Sequence, residues 1–180
     1  PLGDILERLM LLIESQSEDV LCTALLLAPD GVHVQVGAGP SLPPDYLATI
    51  DGQPIGPAAG SCGTAMHRRQ TVVVADIMND PLWRDYRETA ARHGLRACWS
   101  MPIMLDGDTV LGSFAMYYRE VRTPSDEDLS LIGAATHIAG IAIVRTRREE
   151  ELRRHREHLE ELVAARTGQL LQAKEEAEHV

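Results

Sequence analysis

The stretch GLRACWSMPIMLDGDTVLGSFAMYY, residues 94–118, decides the fold. Arg96–Leu105 and Thr109–Tyr118 are apolar runs of strand length, and Asp106-Gly107-Asp108 between them is a turn signal that closes a β-hairpin. Period-two spacing splits the pair into two faces. Ala97, Trp99, Met101 and Ile103 fall together with Phe114 and Met116. Cys98 and Ser100 fall with Ser113, Ala115 and Tyr117 on the other side. A bulge within either strand would exchange the faces. Just upstream, Arg84–His93 reads as a helix that Gly94 stops.

Working towards the N-terminus, Thr71–Ala75 is a β-branched strand followed by a loop over Asp76–Trp83. Gly60–His67 is a loop running into a helix. Residues 37–60 are rich in Gly and Pro and predict a long irregular connection with one short helix at Asp45–Thr49; a loop of that length in a compact domain is usually functional. Val20–Ala28 and Val32–Val36 flank Pro29-Asp30-Gly31 and predict a first hairpin. Leu2, Ile5, Leu6, Leu9, Met10, Leu12 and Ile13 recur at helical spacing.

Towards the C-terminus, Thr123–Asp128 is a helix start, with Ser125 as cap and acids in the first turn. No proline follows, so one helix is expected to reach Val180, roughly 55 residues or ~80 Å. Leu129–Val144 is almost wholly apolar and is expected to be buried. Arg145–Val180 is charge-dense, with Leu152, Leu159, Val163, Leu170, Ala173 and Ala177 in a heptad-compatible stripe that Arg156 and Arg166 interrupt. A free helix of this kind is marginal in water and needs a partner. The expected partner is a parallel second copy, paired through the terminal helices at Leu6, Leu9, Ile13, Leu152, Leu159, Val163 and Leu170. The domains expected are therefore residues 1–144, a globular body, and 145–180, a coiled-coil helix.

Composition sets the limits. The 180 residues are 44% hydrophobic and 24% charged, the balance of a folded globular chain. Of the net charge of −10, residues 1–144 carry −9 (9 basic, 18 acidic) and residues 145–180 carry −1. An acidic body argues against nucleic acid, which needs clustered cations. No apolar run approaches ~18 residues, so no membrane span is expected. Cys22, Cys62 and Cys98 form neither a disulfide framework nor a zinc pattern; a reducing, cytoplasmic setting is the simplest reading, with no metal. The start at Pro1-Leu2-Gly3 without Met, and the stop inside a helical pattern, read as a piece of a longer protein.

The order helix, hairpin, long loop, strand, loop-helix, hairpin, long helix resembles a GAF domain. The specific segments are Gly60-Ser-Cys-Gly-Thr-Ala-Met66, Thr71-Val-Val-Val-Ala-Asp-Ile77, Asp80-Pro-Leu-Trp83, His93-Gly-Leu-Arg-Ala-Cys-Trp-Ser-Met-Pro-Ile103, Val110-Leu-Gly-Ser-Phe-Ala115 and Leu131–Ala139. The form is similar to the modules of bacterial sensor histidine kinases, and Leu159–Leu170 resembles the helices that connect them to an effector. The resemblance implies an α+β fold: an antiparallel sheet with the first and last helices on one face and a ligand pocket on the other. It also implies a signalling role, with the effector elsewhere in the parent chain. His155 and His158 lack the context of a phosphoacceptor and read as solvated helix-surface residues.

The pocket residues expected on this reading are Cys62, Thr64, Asp76, Trp83, Tyr86, His93, Cys98, Ser100 and Tyr117, an apolar setting with a few placed polar groups. The bland alternative is a lid over the sheet with no ligand, leaving a structural dimerisation module. The ligand, and any cofactor, stays unnamed. Free methionine-R-sulfoxide reductases share the fold and resemble Cys62-Gly63-Thr64-Ala65. Their His-Ile-Ala-Cys-Asp element is missing between Asp76 and Arg96, and Cys98, Ala115 and Tyr117 stand where that family has its carboxylates. No catalytic residue is therefore assigned. Cyclic-nucleotide-binding relatives carry a Lys in their motif, whereas the only Lys here is Lys174; bilin-binding ones carry a Cys-His dipeptide, absent here. Haem would need an axial ligand such as His33, His67 or His93, each more simply a structural histidine. Cys62 at a helix N-terminus favours a thiolate, and with Cys98 on the pocket face a redox pair is one reading; two small packed residues are the plainer one.

Overall fold

The computed structural model describes residues 1–178. The chain divides into two compact units, Pro1–Ile143 and a second beginning at Val144. The first is built on a five-stranded antiparallel sheet. Its strands are β1 (Leu21–Leu27), β2 (Val34–Ala38), β3 (Val72–Val74), β4 (Ala97–Leu105) and β5 (Thr109–Tyr118), in the order β2-β1-β5-β4-β3. Five helices are interleaved: α1 (Leu2–Glu14), α2 (Pro44–Ile50), α3 (Gly60–Arg68), α4 (Arg87–Arg92) and α5 (Asp126–Glu178), with a 3₁₀ turn at Pro81–Trp83.

The second hairpin has the two faces that its alternation predicts. Cys98 pairs with Tyr117 and Ser100 with Ala115, while Trp99 pairs with Met116 and Met101 with Phe114. The register does shift, but between Ile103 and Met104, beyond the residues that matter, so the faces are not exchanged. Cys98, Ala115 and Tyr117 join a core with α3, Trp83 and Leu95. The opposite face meets the terminal helices: Gly140 of α5 lies against Ile103, and Gly37 of β2 against Leu6 of α1. At Gly112 the backbones of β5 and β1 approach so closely that a Cβ would stand 2.0 Å from the Leu25 carbonyl oxygen. Only glycine fits there.

The cap on α5 is reciprocal. The Asp128 N–H donates to Ser125 Oγ, and the Ser125 N–H donates back to the Asp128 carboxylate at 2.9 Å.

Three expectations are corrected. Leu6, Leu9 and Ile13 are buried against the sheet (0%, 7% and 5% exposed), because the apolar face of α1 is spent on the core; they offer nothing to a second chain. Leu129–Val144 is not buried all round. Ile132, Ala135, Thr136, Ala139, Gly140, Ala142 and Ile143 face inward, while Ile138 and Ile141 are about half exposed, since a sheet covers only one side of a helix. Third, α5 does contain a stretch of 18 residues with mean hydropathy 1.5, long and apolar enough by composition to cross a membrane; a third of it is buried inside the protein.

In the second unit every described residue from Arg147 to Glu178 is exposed. Leu152, Leu159, Val163 and Leu170 stand open, as do Leu162 and Leu171, which the heptad reading omits. Ion pairs at i,i+4 (Arg145–Glu149, Arg153–Glu157, Arg156–Glu160, Lys174–Glu178) decorate the helix. Each places the base N-terminal to the acid, the weaker orientation, and contributes about 0.3–0.5 kcal/mol at most. Such pairs do not hold a lone helix of this length together.

Candidate functional site

The face of the sheet away from α1 carries a half-open cavity: about 490 Å³ of free space lies between its walls and mouth, open solvent included, and about 40 Å³ of it admits the centre of a water-sized sphere. Strands β1, β2 and β5 supply Leu25, Val34 and Tyr117; α2 supplies Tyr46 and the start of α3 supplies Ser61 and Cys62. Trp83 and Tyr86 close one side. The chain reaches this arrangement through the loop into α3. Gly60 takes a left-handed backbone (φ +63°), and the Trp83 ring packs over it at 3.7 Å from where a Cβ would sit. The Trp83 indole N–H then donates to Ser61 Oγ at 3.0 Å, and the Ser61 hydroxyl donates to the Cys98 carbonyl at 2.9 Å. One buried serine thus ties the cavity wall to the sheet.

Aromatic edges line the interior. Tyr46 and Tyr117 meet edge to face at 5.7 Å with their hydroxyls 3.3 Å apart, and Trp83 meets both Tyr117 and Tyr86 in the same manner. Four of the seven aromatic residues in the chain therefore line one cavity. No Asp, Glu, Lys, Arg or His is among its lining residues.

Cys62 lies at the floor, 6% exposed, with Ser100 Oγ 3.1 Å and the Tyr117 hydroxyl 3.8 Å from its sulfur. Cys98 is wholly buried behind it, its sulfur 3.8 Å from the same Ser100 hydroxyl. The two thiols differ in acidity. The Cys98 thiol and the surrounding hydroxyls stabilise a Cys62 thiolate and hold its pKa below the usual thiol value, against the cost of burial. Burial, with the neighbouring Cys62, pushes Cys98 up. Burial likewise raises the Tyr46 and Tyr117 hydroxyls, which stay neutral donors.

Of the nine residues expected from sequence, Cys62, Trp83, Tyr86 and Tyr117 line the cavity. The other five do not. Thr64 is turned back to accept the Ala59 N–H at 3.0 Å, because it sits a full turn inside α3. Asp76 organises its own loop, accepting from the Asn79 side chain and the Met78 N–H and pairing with Arg96. Cys98 and Ser100 lie on the correct face, but the first turn of α3 covers them. His93 backs the cavity from outside, edge to face with Tyr46 at 5.7 Å, while its carbonyl accepts from Arg119. The sequence reading missed Tyr46 and Ser61. The scarcity of aromatics was a usable signal for Tyr46, the only one in the long connection; Ser61 carried none beyond its place before Cys62. Among the described residues no group of three or more His, Cys, Asp or Glu is placed to hold a metal ion.

A central antiparallel sheet, terminal helices on one face and a loop-walled cavity on the other define the fold class that the sequence suggested. Residues 2–144 match the family model described as GAF domain, and the chain belongs to that family. It is 39% identical over 145 residues to the methyl sulfide methyltransferase-associated sensor of Methanosarcina acetivorans; the match covers 78% of this chain but 14% of that protein. The fold resembles that of a domain of a putative two-component sensor histidine kinase from Sinorhizobium meliloti (TM-score 0.69, 19% identity, 85% of this chain and 97% of that one). It also resembles the free methionine-R-sulfoxide reductase of Staphylococcus aureus in its reduced form (TM-score 0.63, 22% identity, 79% and 84% covered). At these identities the structural likeness speaks for the fold alone.

Proposed function

We propose that this chain is the sensory module of a signalling protein and takes up a small uncharged molecule with an aromatic or otherwise flat apolar face. One observation carries the reading: the cavity is walled by Tyr46, Trp83, Tyr86 and Tyr117, and no Asp, Glu, Lys, Arg or His is among its lining residues. A carboxylate or phosphate entering such a site would lose its hydration without a counter-charge, at a cost of several kcal/mol. Polar groups suited to orienting a neutral guest, Gln53, Thr89 and the tyrosine hydroxyls, are present. The same argument disfavours cyclic nucleotides and a zwitterionic amino acid sulfoxide, so the role is binding rather than reductase catalysis.

Occupancy that favours one packing of the cavity wall would bias α5, which is continuous from Asp126 to Glu178, and through it an effector in the parent chain, most simply a histidine kinase. The open apolar stripe at Leu152, Leu159, Val163 and Leu170 suits pairing with a second copy in parallel. Three free, buried cysteines suit a reducing, cytoplasmic setting. The test is a visible spectrum of the purified chain, followed by mass spectrometry of small molecules released on denaturation. A neutral compound released by the wild type and lost from Trp83→Ala supports the reading. A protein that carries nothing, and that no metabolite stabilises, turns it into a structural module; a haem or bilin band replaces the ligand class.

A further inference from the structure

We infer that Cys62 is an oxidisable site: a peroxide entering the cavity converts it to a sulfenic acid, which Cys98 resolves to a disulfide. The observations are geometric. Cys62 is the only one of the three cysteines on the cavity lining. Cys62 lies in the first turn of α3, with its sulfur turned to the sheet. Ser100 Oγ and the Tyr117 hydroxyl, at 3.1 and 3.8 Å, stand ready to donate to a thiolate. Cys98 is close behind on the sheet, with one serine hydroxyl within 3.8 Å of both sulfurs. It is wholly buried and absent from the cavity lining, so an entering oxidant meets Cys62 first. Cys22 is buried elsewhere, with its thiol pushed up by burial and by Glu14, and takes no part.

The chemistry balances with a peroxide as the sole co-reactant. The Cys62 thiolate attacks one peroxide oxygen, the O–O bond breaks, and the alkoxide or hydroxide leaves and takes up a proton, giving Cys62 sulfenic acid. Cys98 then gives up its proton to the departing hydroxyl as its sulfur attacks the Cys62 sulfur. An S–S bond forms, the S–O bond breaks, and the thiol proton leaves with the hydroxyl as water. No Asp, Glu, Lys, Arg or His lines the cavity, so the Cys62 thiolate is the group a small neutral oxidant meets there. Because α3 carries Cys62 and β4 carries Cys98, the bond would pin the cavity floor to the sheet. This inference does not rest on a reversible ligand being bound.

The experiment treats the full chain with hydrogen peroxide and maps its cysteines by peptide mass spectrometry. The expected product is a Cys62–Cys98 cross-link with Cys22 left as a free thiol. In Cys98→Ser the sulfenic acid persists and is trapped by dimedone at Cys62; in Cys62→Ser both products vanish. The rate should follow a thiolate whose inflection lies below the ordinary thiol value of about 8.5. Oxidation beginning at Cys22 or Cys98, Cys62 passing to the sulfinic acid without a cross-link, or all three thiols surviving overturns the assignment. The wild-type map alone decides the matter if either variant fails to fold.

Discussion

Ser61→Ala tests the wall of the cavity most sharply. The side chain has no exposure, accepts the Trp83 indole N–H and donates to the Cys98 carbonyl. Its removal leaves the indole N–H, on a residue 3% exposed, with no acceptor. An orphaned buried donor costs about 1–3 kcal/mol, and the lost bond to Cys98 adds up to ~1. The hydroxyl is small, so little cavity is created, and a total of about 2–3 kcal/mol is expected. With a urea slope of about 2 kcal/mol/M, the unfolding midpoint should fall by about 1–1.5 M, read by circular dichroism and tryptophan fluorescence. Trp83→Phe deletes the donor, so Ser61→Ala in that background should cost about 1 kcal/mol less or better. A midpoint shift under about 0.3 M, or equal costs in the two backgrounds, would refute the claim that Ser61 ties Trp83 to the sheet.

Three further outcomes are expected. Gly112→Ala forces a Cβ onto the Leu25 carbonyl at 2.0 Å, so the β1–β5 pairing should part and stability fall by more than about 3 kcal/mol; a folded, near-wild-type thermal midpoint would contradict that packing. Asp30 accepts from the Val32 and His33 N–H groups and from the His33 ring, and these lower its pKa to about 2. Its folded value lies below the unfolded one, so its contribution is full above pH ~4 and is lost as pH falls towards 2. Asp30→Asn should therefore flatten the acid limb of a stability–pH curve in that window and leave its slope near neutrality unchanged. Replacing Leu159 and Val163 with Asn should weaken dimerisation in sedimentation equilibrium, and an unchanged mass in solution would count against the seam.

The sequence carried most of the fold because this chain obeys simple periodicities. Alternation in Ala97–Leu105 and Thr109–Tyr118 predicts both faces of the central hairpin, since the one bulge lies past them at Ile103. Helical periodicity in α1 and α5 is equally plain, but periodicity says which residues share a face and not what covers that face. Leu6, Leu9 and Ile13 and the exposed Leu159 and Val163 look alike in sequence; one set packs on the sheet and the other stands open. The site was half legible for a related reason. Trp83, Tyr86 and Tyr117 stand out by chemistry, and Cys62 by its helix start. Whether Cys98 lines a cavity or is roofed over depends on where α3 comes to rest, a tertiary fact. Tyr46 sits in a connection that has no period at all.

The central claim is a cavity built for an uncharged guest, and thermal shift tests it most directly. The full chain and Tyr86→Ala would be heated with matched panels of neutral aromatic, anionic and cationic small molecules. The account predicts that neutral flat compounds stabilise the wild type, by about 2.7 kcal/mol at a hundredfold excess over Kd, and that Tyr86→Ala loses most of that effect. Stabilisation confined to charged compounds, or equal in the wild type and Tyr86→Ala, would contradict it.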